Sequence, residues 1–150
     1  MDSYREIENL LYLYAERIDA GNLEGVAEMF SNAEILALDL ENGVRGYDEV
    51  LAMYQNSTRI YEKTGTPCTK HVTTNAIIEV DEENNSAAAR SYFTVFQALD
   101  DFPLQPIIAG RYHDRFERVG GKWRFKERKM LPELYGDLSR HLLFDAGEIK

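Results

Sequence analysis

The sequence predicts an α+β fold, in which N-terminal helices cover one face of a strongly curved antiparallel sheet. Apolar residues recur at helical spacing through most of the first sixty residues, and from Lys70 onward the period changes to two. The chain has 150 residues, enough for the core of a single domain. A twisted sheet beneath helices encloses a concave space, so the fold class itself predicts a ligand cavity.

The first helix is predicted to begin at Ser3, which forms a capping-box pattern with Glu6, and to end near Gly21. Its apolar stripe consists of Ile7, Leu10, Leu11, Tyr14, Ala15 and Ile18. Asp19 follows at the C-terminal end, where the helix macrodipole is unfavourable to a carboxylate. Helix stability does not explain an acid at this position, which points to a function.

The remaining elements follow from turn signals and periodicity. Asn22 is predicted to cap a second short helix, residues 33–40 to form a strand before the turn 41–43, and Gly46 to open a third helix. The later strands are predicted at 71–80, 87–99, 107–119 and 123–130, with prolines 103 and 106 in a loop. The chain is predicted to be one domain, 1–150, whose residues 132–150 form a C-terminal arm or short helix.

Composition excludes several classes of function. The net charge of −9 and the pI near 4.8 argue against nucleic-acid binding, which depends on clustered Lys and Arg. The sequence has neither a secretory leader pattern nor an apolar run long enough to cross a bilayer, so we expect a cytoplasmic protein that does not bind membranes. Cys68 is the only cysteine, so the chain forms no internal disulfide.

Three polar residues stand out as a candidate catalytic group: Tyr14, Asp19 and His71. A carboxylate that holds one imidazole nitrogen leaves the other free to take a proton, and a phenol in a dry pocket donates to an oxygen that gains charge. Each residue also has an ordinary explanation, since Tyr14 fits the apolar stripe and an isolated histidine is more often structural. The hypothesis therefore depends on whether Asp19 and His71 meet in space.

Further residues are candidates for substrate binding. Tyr54 on the third helix and Tyr112 on a strand could line the pocket, although aromatic residues at helical spacing are more often core. Arg128 on the last strand could reach a substrate anion, and it could equally pair with one of the many acids. Alternation places Tyr112, Asp114 and Phe116 on one strand face, expected to point inward, and His113 on the other. On the strand that begins at His71, one face is predicted to carry residues 71, 73, 75 and 77, and the other residues 72, 74, 76, 78 and 80.

The sequence contains no motif typical of metal, nucleotide or acyl-enzyme chemistry, so we expect neither a cofactor nor a metal. A metal site built from His71, His113 and His141 is disfavoured because these residues lie on three separate elements.

Four short segments resemble the SnoaL-like branch of the nuclear-transport-factor-2-like (NTF2-like) superfamily. They are residues 14–19 (YAERID) with Phe30, residues 70–75 (KHVTTN), residues 110–116 (GRYHDRF) and residues 121–125 (GKWRF). The resemblance covers nearly the whole chain, and it implies a cone-shaped α+β barrel with three capping helices. It also implies a homodimer through the outer sheet face, in keeping with apolar residues on both faces of several strands.

The branch includes scytalone dehydratase, a bile-acid dehydratase and a hexachlorocyclohexane dehydrochlorinase, which use an aspartate–histidine dyad to remove a proton. By resemblance the dyad is Asp19 with His71, and the tyrosine of the bile-acid enzyme falls on Tyr14. The arginine of that enzyme falls on Pro132, so Arg128 is the nearest substitute. We therefore expect a cofactor-free lyase or isomerase for a small apolar cyclic molecule. The alternative is a ligand-binding module without catalysis, or a partner resembling a dioxygenase beta subunit.

Overall fold

The computed structural model describes residues 1–37 and 41–144, in which three helices pack on a six-stranded sheet. The elements are α1 (Ser3–Asp19), α2 (Leu23–Met29), β1 (Glu34–Leu36), β2 (Val44–Arg45), α3 (Gly46–Ser57), β3 (Thr69–Asp81), β4 (Ser86–Leu99), β5 (Phe102–Val119) and β6 (Lys122–Tyr135). The predicted α+β class is confirmed, and so is the order of the predicted helices and strands, with β2 as an additional strand that the sequence did not predict. Across the described residues, no helix combines the length and the apolar character needed to span a membrane.

The sheet has the strand order β2-β1-β6-β5-β4-β3. Strands β3 to β6 form the antiparallel meander that the sequence predicted. However, β1 runs parallel to β6, so the sheet is mixed rather than wholly antiparallel. Within the described residues the sheet curls around the helices without closing into a barrel. The tail of the predicted first strand, residues 38–40, lies outside the described residues.

Two predicted strand limits were wrong, both at prolines. β5 already begins at Phe102, so Pro103 and Pro106 lie in a strand, and β6 continues through Pro132 to Tyr135. The pairing of β5 with both neighbours shifts register in these regions. Proline lacks the N–H of a regular ladder and is tolerated at bulges, where that donor is not needed.

The predicted faces of β3 were wrong beyond its first half, because the strand contains a bulge. The register shifts between Thr74 and Ile77, and Asn75 adopts a left-handed backbone with φ of 56°. Before the bulge the odd-numbered residues point inward, and after it the even-numbered ones do. Val72 is consequently exposed although it was predicted to share a face with Ile78, which is partly buried.

The N-terminal end of helix α1 is fixed by two side-chain hydrogen bonds. Its N-cap is Asp2, whose carboxylate accepts a hydrogen bond from the backbone N–H of Arg5, whereas Ser3 was predicted to be the cap. Ser3 instead accepts from the indole N–H of Trp123 at 3.0 Å, which connects α1 to β6. The buried core between helices and sheet is largely aromatic near α2, where Phe30 stacks on Phe125 with ring centroids 4.7 Å apart.

The outer face of the sheet carries several exposed apolar side chains, among them Val72, Tyr92 and Leu134. Isolated exposed apolar residues are normal on a monomer, but neighbouring ones on one sheet face are typical of an interface. The homodimer stays a prediction, which light scattering on a size-exclusion column checks directly.

Candidate active site

Asp19 and His71, which are separated by 51 intervening residues in the sequence, are in direct contact. The Nδ1 atom of His71 lies 2.6 Å from Oδ1 of Asp19, and the backbone N–H of His71 donates to Oδ2 at 2.7 Å. The hydroxyl of Thr69 donates to Oδ1 at 2.8 Å. The two side chains are nearly buried, with 8% of His71 and 11% of Asp19 exposed. Both carboxylate oxygens of Asp19 are therefore held by the first residues of β3.

The contact depends on how the chain leaves α1. The helix ends at Asp19, and Gly21 adopts a left-handed φ of 75°. A Cβ atom at Gly21 would lie 2.1 Å from the carbonyl oxygen of Gly65, so glycine alone fits this close approach. The loop before β3 thus packs directly against the end of α1, and it delivers Thr69 and His71 to the carboxylate.

The electrostatics of the pair define the protonation of the imidazole. Burial by itself raises the pKa of Asp19, but the hydrogen bonds and charge of His71, together with Thr69, outweigh burial and hold that pKa below its ordinary value of 3.8. Asp19 is thus a carboxylate at neutral pH and only accepts hydrogen bonds. We therefore assign the hydrogen of neutral His71 to Nδ1, which leaves Nε2 as the basic nitrogen.

His71 borders a cavity of about 380 Å³ under the helices. This volume lies near the lower end of the ~300–1,000 Å³ typical of small-molecule sites. The walls are mostly apolar, and their described residues include Ile18, Met53, Phe93, Val95, Ile108, Met130, Pro132, Leu138, Leu142 and Phe144. No described lining residue is a Lys, Arg, Asp or Glu. Such a cavity is suited to an uncharged ligand, because a charged group would lose its hydration without a counter-charge.

Two predicted site residues, Tyr14 and Tyr54, meet at this cavity through their hydroxyl oxygens, which are 2.6 Å apart. Burial raises the pKa of Tyr14 and raises that of Tyr54 still further, so both phenols are neutral at pH 7. Their mutual hydrogen bond uses one hydroxyl hydrogen and leaves the other available for a ligand. The Tyr14 ring also lies edge-on to the His71 imidazole, with centroids 6.4 Å apart.

Tyr112 and Arg128, the other predicted substrate-binding residues, occupy different places. Tyr112 lines the cavity and stacks on Phe93 with ring centroids 4.5 Å apart. Arg128 is fully buried and lies behind the tyrosines instead of in the lining, so of its two predicted destinations, a substrate anion or an acid, it occupies the second. Its guanidinium carbon lies 3.7 Å from the ring centroid of Tyr112 and 4.3 Å from that of Tyr14.

Arg128 is held in this position by the carboxylate of Asp114. The Nε and Nη2 atoms of Arg128 donate to the two carboxylate oxygens of Asp114 at 2.8 and 3.0 Å. Burial works against the charge of Arg128, but Asp114 outweighs burial and raises the arginine pKa above its ordinary value. Arg128 thus stabilises the back of the tyrosine cluster as a cation under aromatic rings.

His141 was missed as a site residue by the sequence analysis. It follows β6 in an irregular segment, yet its imidazole is 7% exposed, lines the cavity and lies 6.3 Å from the His71 ring between centroids. Periodicity could not find it, because the segment has no regular structure to which a period applies. Its residue type alone was the available signal.

His113 lies on the face of β5 opposite to buried Tyr112 and Asp114, as predicted. The three histidines therefore do not gather. In the chain as far as it is described, no group of three or more His, Cys, Asp or Glu side chains is arranged to hold a metal.

Two solved structures share this helix-covered, curled sheet: one is described as an NTF2-like protein with a cystatin-like fold, and the other as a protein with a cystatin-like fold. Residues 1–129 match the SnoaL-like domain, and the chain belongs to this family. The resemblance drawn from the sequence is thereby confirmed. No protein of curated function matches the sequence.

Several solved structures are similar over most of their length. A proposed scytalone dehydratase of Novosphingobium aromaticivorans is 25% identical, with a TM-score of 0.70 over 89% of this chain and 86% of that one. The beta subunit of a proposed aromatic-ring-hydroxylating dioxygenase from the same organism is 21% identical, with a TM-score of 0.66 over 87% and 88%. LinA is 19% identical, with a TM-score of 0.69 over 91% and 90%. The last two similarities concern the fold alone.

Proposed function

We propose that this protein is a cofactor-independent lyase or isomerase of the dehydratase type, acting on a small, uncharged, largely apolar cyclic molecule. The observation that carries the proposal is the 2.6 Å contact between Nδ1 of His71 and Asp19 at the edge of an apolar cavity. Membership of the SnoaL-like family and similarity to a proposed scytalone dehydratase support the same reaction class.

In the proposed reaction, Nε2 of His71 removes a proton from a carbon next to an electron-withdrawing group such as a carbonyl. The electron pair of the broken C–H bond forms a carbon–carbon double bond. In a dehydration, the hydroxyl group on the next carbon takes up the proton that His71 removed and leaves as water, which returns His71 to its neutral form. In an isomerisation, no group leaves and the proton on His71 returns to a different carbon.

Asp19 supports this step in two ways. It fixes the ring of His71 through Nδ1, and its negative charge stabilises the imidazolium that forms when Nε2 takes the proton. The second hydrogen of the Tyr14–Tyr54 hydroxyl pair donates to the oxygen that gains charge or leaves. The buried, mostly apolar surroundings strengthen both interactions because their dielectric constant is lower than that of bulk water.

The proposal is tested by proton exchange, which needs no knowledge of the leaving group. The purified protein is incubated in D₂O with a panel of cyclic ketones and β-hydroxyketones, and deuterium uptake at the carbon next to the carbonyl is followed by NMR. We expect uptake with at least one compound, and we expect His71→Ala to slow it by about 10²-fold or more.

The matched control is His113→Ala, because His113 lies on the other face of the sheet and outside the described cavity lining. This variant is expected to retain the wild-type rate. Exchange that His71→Ala leaves unchanged would remove His71 from the mechanism, and exchange lost equally in both variants would point to general destabilisation.

A second candidate is a non-catalytic protein that binds an apolar ligand or serves as a partner of a catalytic subunit. The mostly apolar cavity favours ligand binding, and a dioxygenase beta subunit shares the fold. Native mass spectrometry separates the two possibilities when combined with the exchange assay. A retained compound that undergoes no exchange with the wild-type protein supports the binding function, whereas retention with exchange supports catalysis.

A further inference from the structure

The segment that follows β6 is fixed where it carries His141. The backbone N–H of Arg59 donates to the carbonyl of His141 at 2.8 Å, and that of Leu143 donates to the carbonyl of Ser57 at 3.1 Å. The side-chain amide of Gln97 donates to the carbonyl of Arg140 at 3.1 Å. These bonds connect the segment to the end of α3 and to β4, so the position of His141 is defined by the fold.

The imidazole of His141 has an unusual hydrogen-bond balance. Its Nδ1 atom is buried and has no hydrogen-bond partner in the described structure. Buried polar atoms are generally paired, since an unpaired one loses its water without replacement. Nδ1 is closed off from the cavity, so the ring meets a ligand through Nε2, which has no hydrogen-bond partner among the described residues either.

The surroundings determine the form in which His141 acts. Burial, with a smaller contribution from His71, lowers its pKa to about 4, and Asp19 opposes this effect only in part. The ring is therefore neutral at pH 7 and presents one N–H donor and one acceptor nitrogen. A neutral imidazole is a poor base beside His71, but it is an effective donor to an oxygen that gains charge.

We propose that His141 is a substrate-contacting residue, whose ring hydrogen-bonds an oxygen substituent of the ligand next to the carbon that His71 attacks. The proposal deepens the proposed function, and it specifies the substrate class as an uncharged ring ketone or alcohol rather than a hydrocarbon or halide. The two imidazoles, whose ring centroids are 6.3 Å apart, then have separate roles. His71 takes the proton and His141 recognises the oxygen.

The test compares two probes of nearly the same shape, 1-tetralone and tetralin, which differ in one carbonyl oxygen. Dissociation constants are measured for the wild type and for His141→Phe, which keeps a ring but has no hydrogen-bonding atom. We expect the wild type to bind the ketone more tightly, and the variant to lose about fivefold to tenfold of affinity for the ketone only. His113→Phe is the control and is expected to behave as the wild type does.

A second measurement on the unaltered protein keeps the test valid if the variant does not fold. In histidine-labelled protein, the ring ¹⁵N signals of His141 should shift when 1-tetralone is added and stay in place with tetralin. The proposal would be overturned if the wild type bound 1-tetralone no more tightly than tetralin. It would also be overturned if the ring ¹⁵N signals of His141 did not shift when 1-tetralone is added. Because binding is measured without turnover, this outcome is distinguishable from a failure of His71 in the exchange assay.

Discussion

The interior contains two acid–base pairs on either side of Tyr14, and they behave oppositely. Asp19 and His71 touch at 2.6 Å and remain slightly exposed, whereas Asp114 and Arg128 form two hydrogen bonds with no exposed surface. The pKa of Asp19 is lowered by its partners, whereas burial raises the pKa of Asp114. A buried charge pair is thus no guide to chemistry until access and the partner's ability to release a proton are considered.

The partner residues explain the contrast. Arginine keeps its proton at every physiological pH, while histidine gains and loses one close to neutrality. The guanidinium of Arg128 lies under the rings of Tyr14, Tyr112 and Phe125, where it organises the aromatic side of the cavity. The arginine pair therefore shapes the site, and we propose that the histidine pair reacts.

Breaking the arginine pair gives the largest expected effect on stability. Asp114→Asn leaves the charge of Arg128 buried without its counter-charge, so the free energy of unfolding should fall by about 3–5 kcal/mol. Urea unfolding monitored by the fluorescence of Trp123, the only tryptophan, measures it. Glu79→Gln is the control, because Glu79 pairs with Arg90 at an exposed position and should contribute little. Similar losses in the two variants would contradict a special role for the buried pair.

Breaking the histidine pair should affect turnover more than stability. In Asp19→Asn, the amide oxygen accepts from the backbone N–H of His71, so the NH₂ group faces Nδ1 and forces the ring hydrogen onto Nε2. The rate of deuterium exchange should then fall by about 10²-fold. The variant should also unfold at a higher urea concentration than Asp114→Asn does. A variant with full exchange activity would show that tautomer control by Asp19 is unnecessary.

Acid should weaken the histidine pair in a defined range of pH. The pKa of Asp19 is lower in the folded chain than in the unfolded chain, so its contribution to stability is complete above the unfolded value, near 3.8. That contribution is lost as the pH falls through the lowered folded value. The stability difference between wild type and Asp19→Asn should shrink as the pH falls below about 3.8. Urea unfolding at a series of pH values checks it, and a difference that does not shrink in acid would contradict it.

The sequence predicted much of the candidate site because its key residues lie in regular elements. The helical period placed Tyr14 and Asp19 on α1, and the strand pattern placed His71 near the start of β3. Only the tertiary structure showed that Asp19 and His71 are in contact. The inward direction of Tyr112 and Asp114 followed from alternation and is confirmed. Alternation failed on β3, where the bulge at Asn75 exchanges the two faces, because a single left-handed residue leaves no clear trace in a hydrophobic pattern.

Two site features were beyond prediction for a different reason. For Arg128 the sequence left two destinations open, a substrate anion or an acidic side chain, and the pairing of β5 with β6 decided between them by setting Asp114 beside it. His141 belongs to a segment whose path is set by hydrogen bonds to α3, Arg59 and β4. The residues that Arg128 and the His141 segment contact are not sequence neighbours, so local patterns carried no information about these contacts.

By itself, the sequence determined the fold class, the order of most helices and strands, and the residue types of the candidate catalytic pair, since these depend on local periodicity and on side-chain chemistry. The tertiary structure alone decided which acid each basic side chain meets and which of them reaches the cavity. The physical reason is that hydrogen bonds and charge pairs act over a few ångströms. Only the folded chain brings residues as distant as Asp19 and His71 within that range.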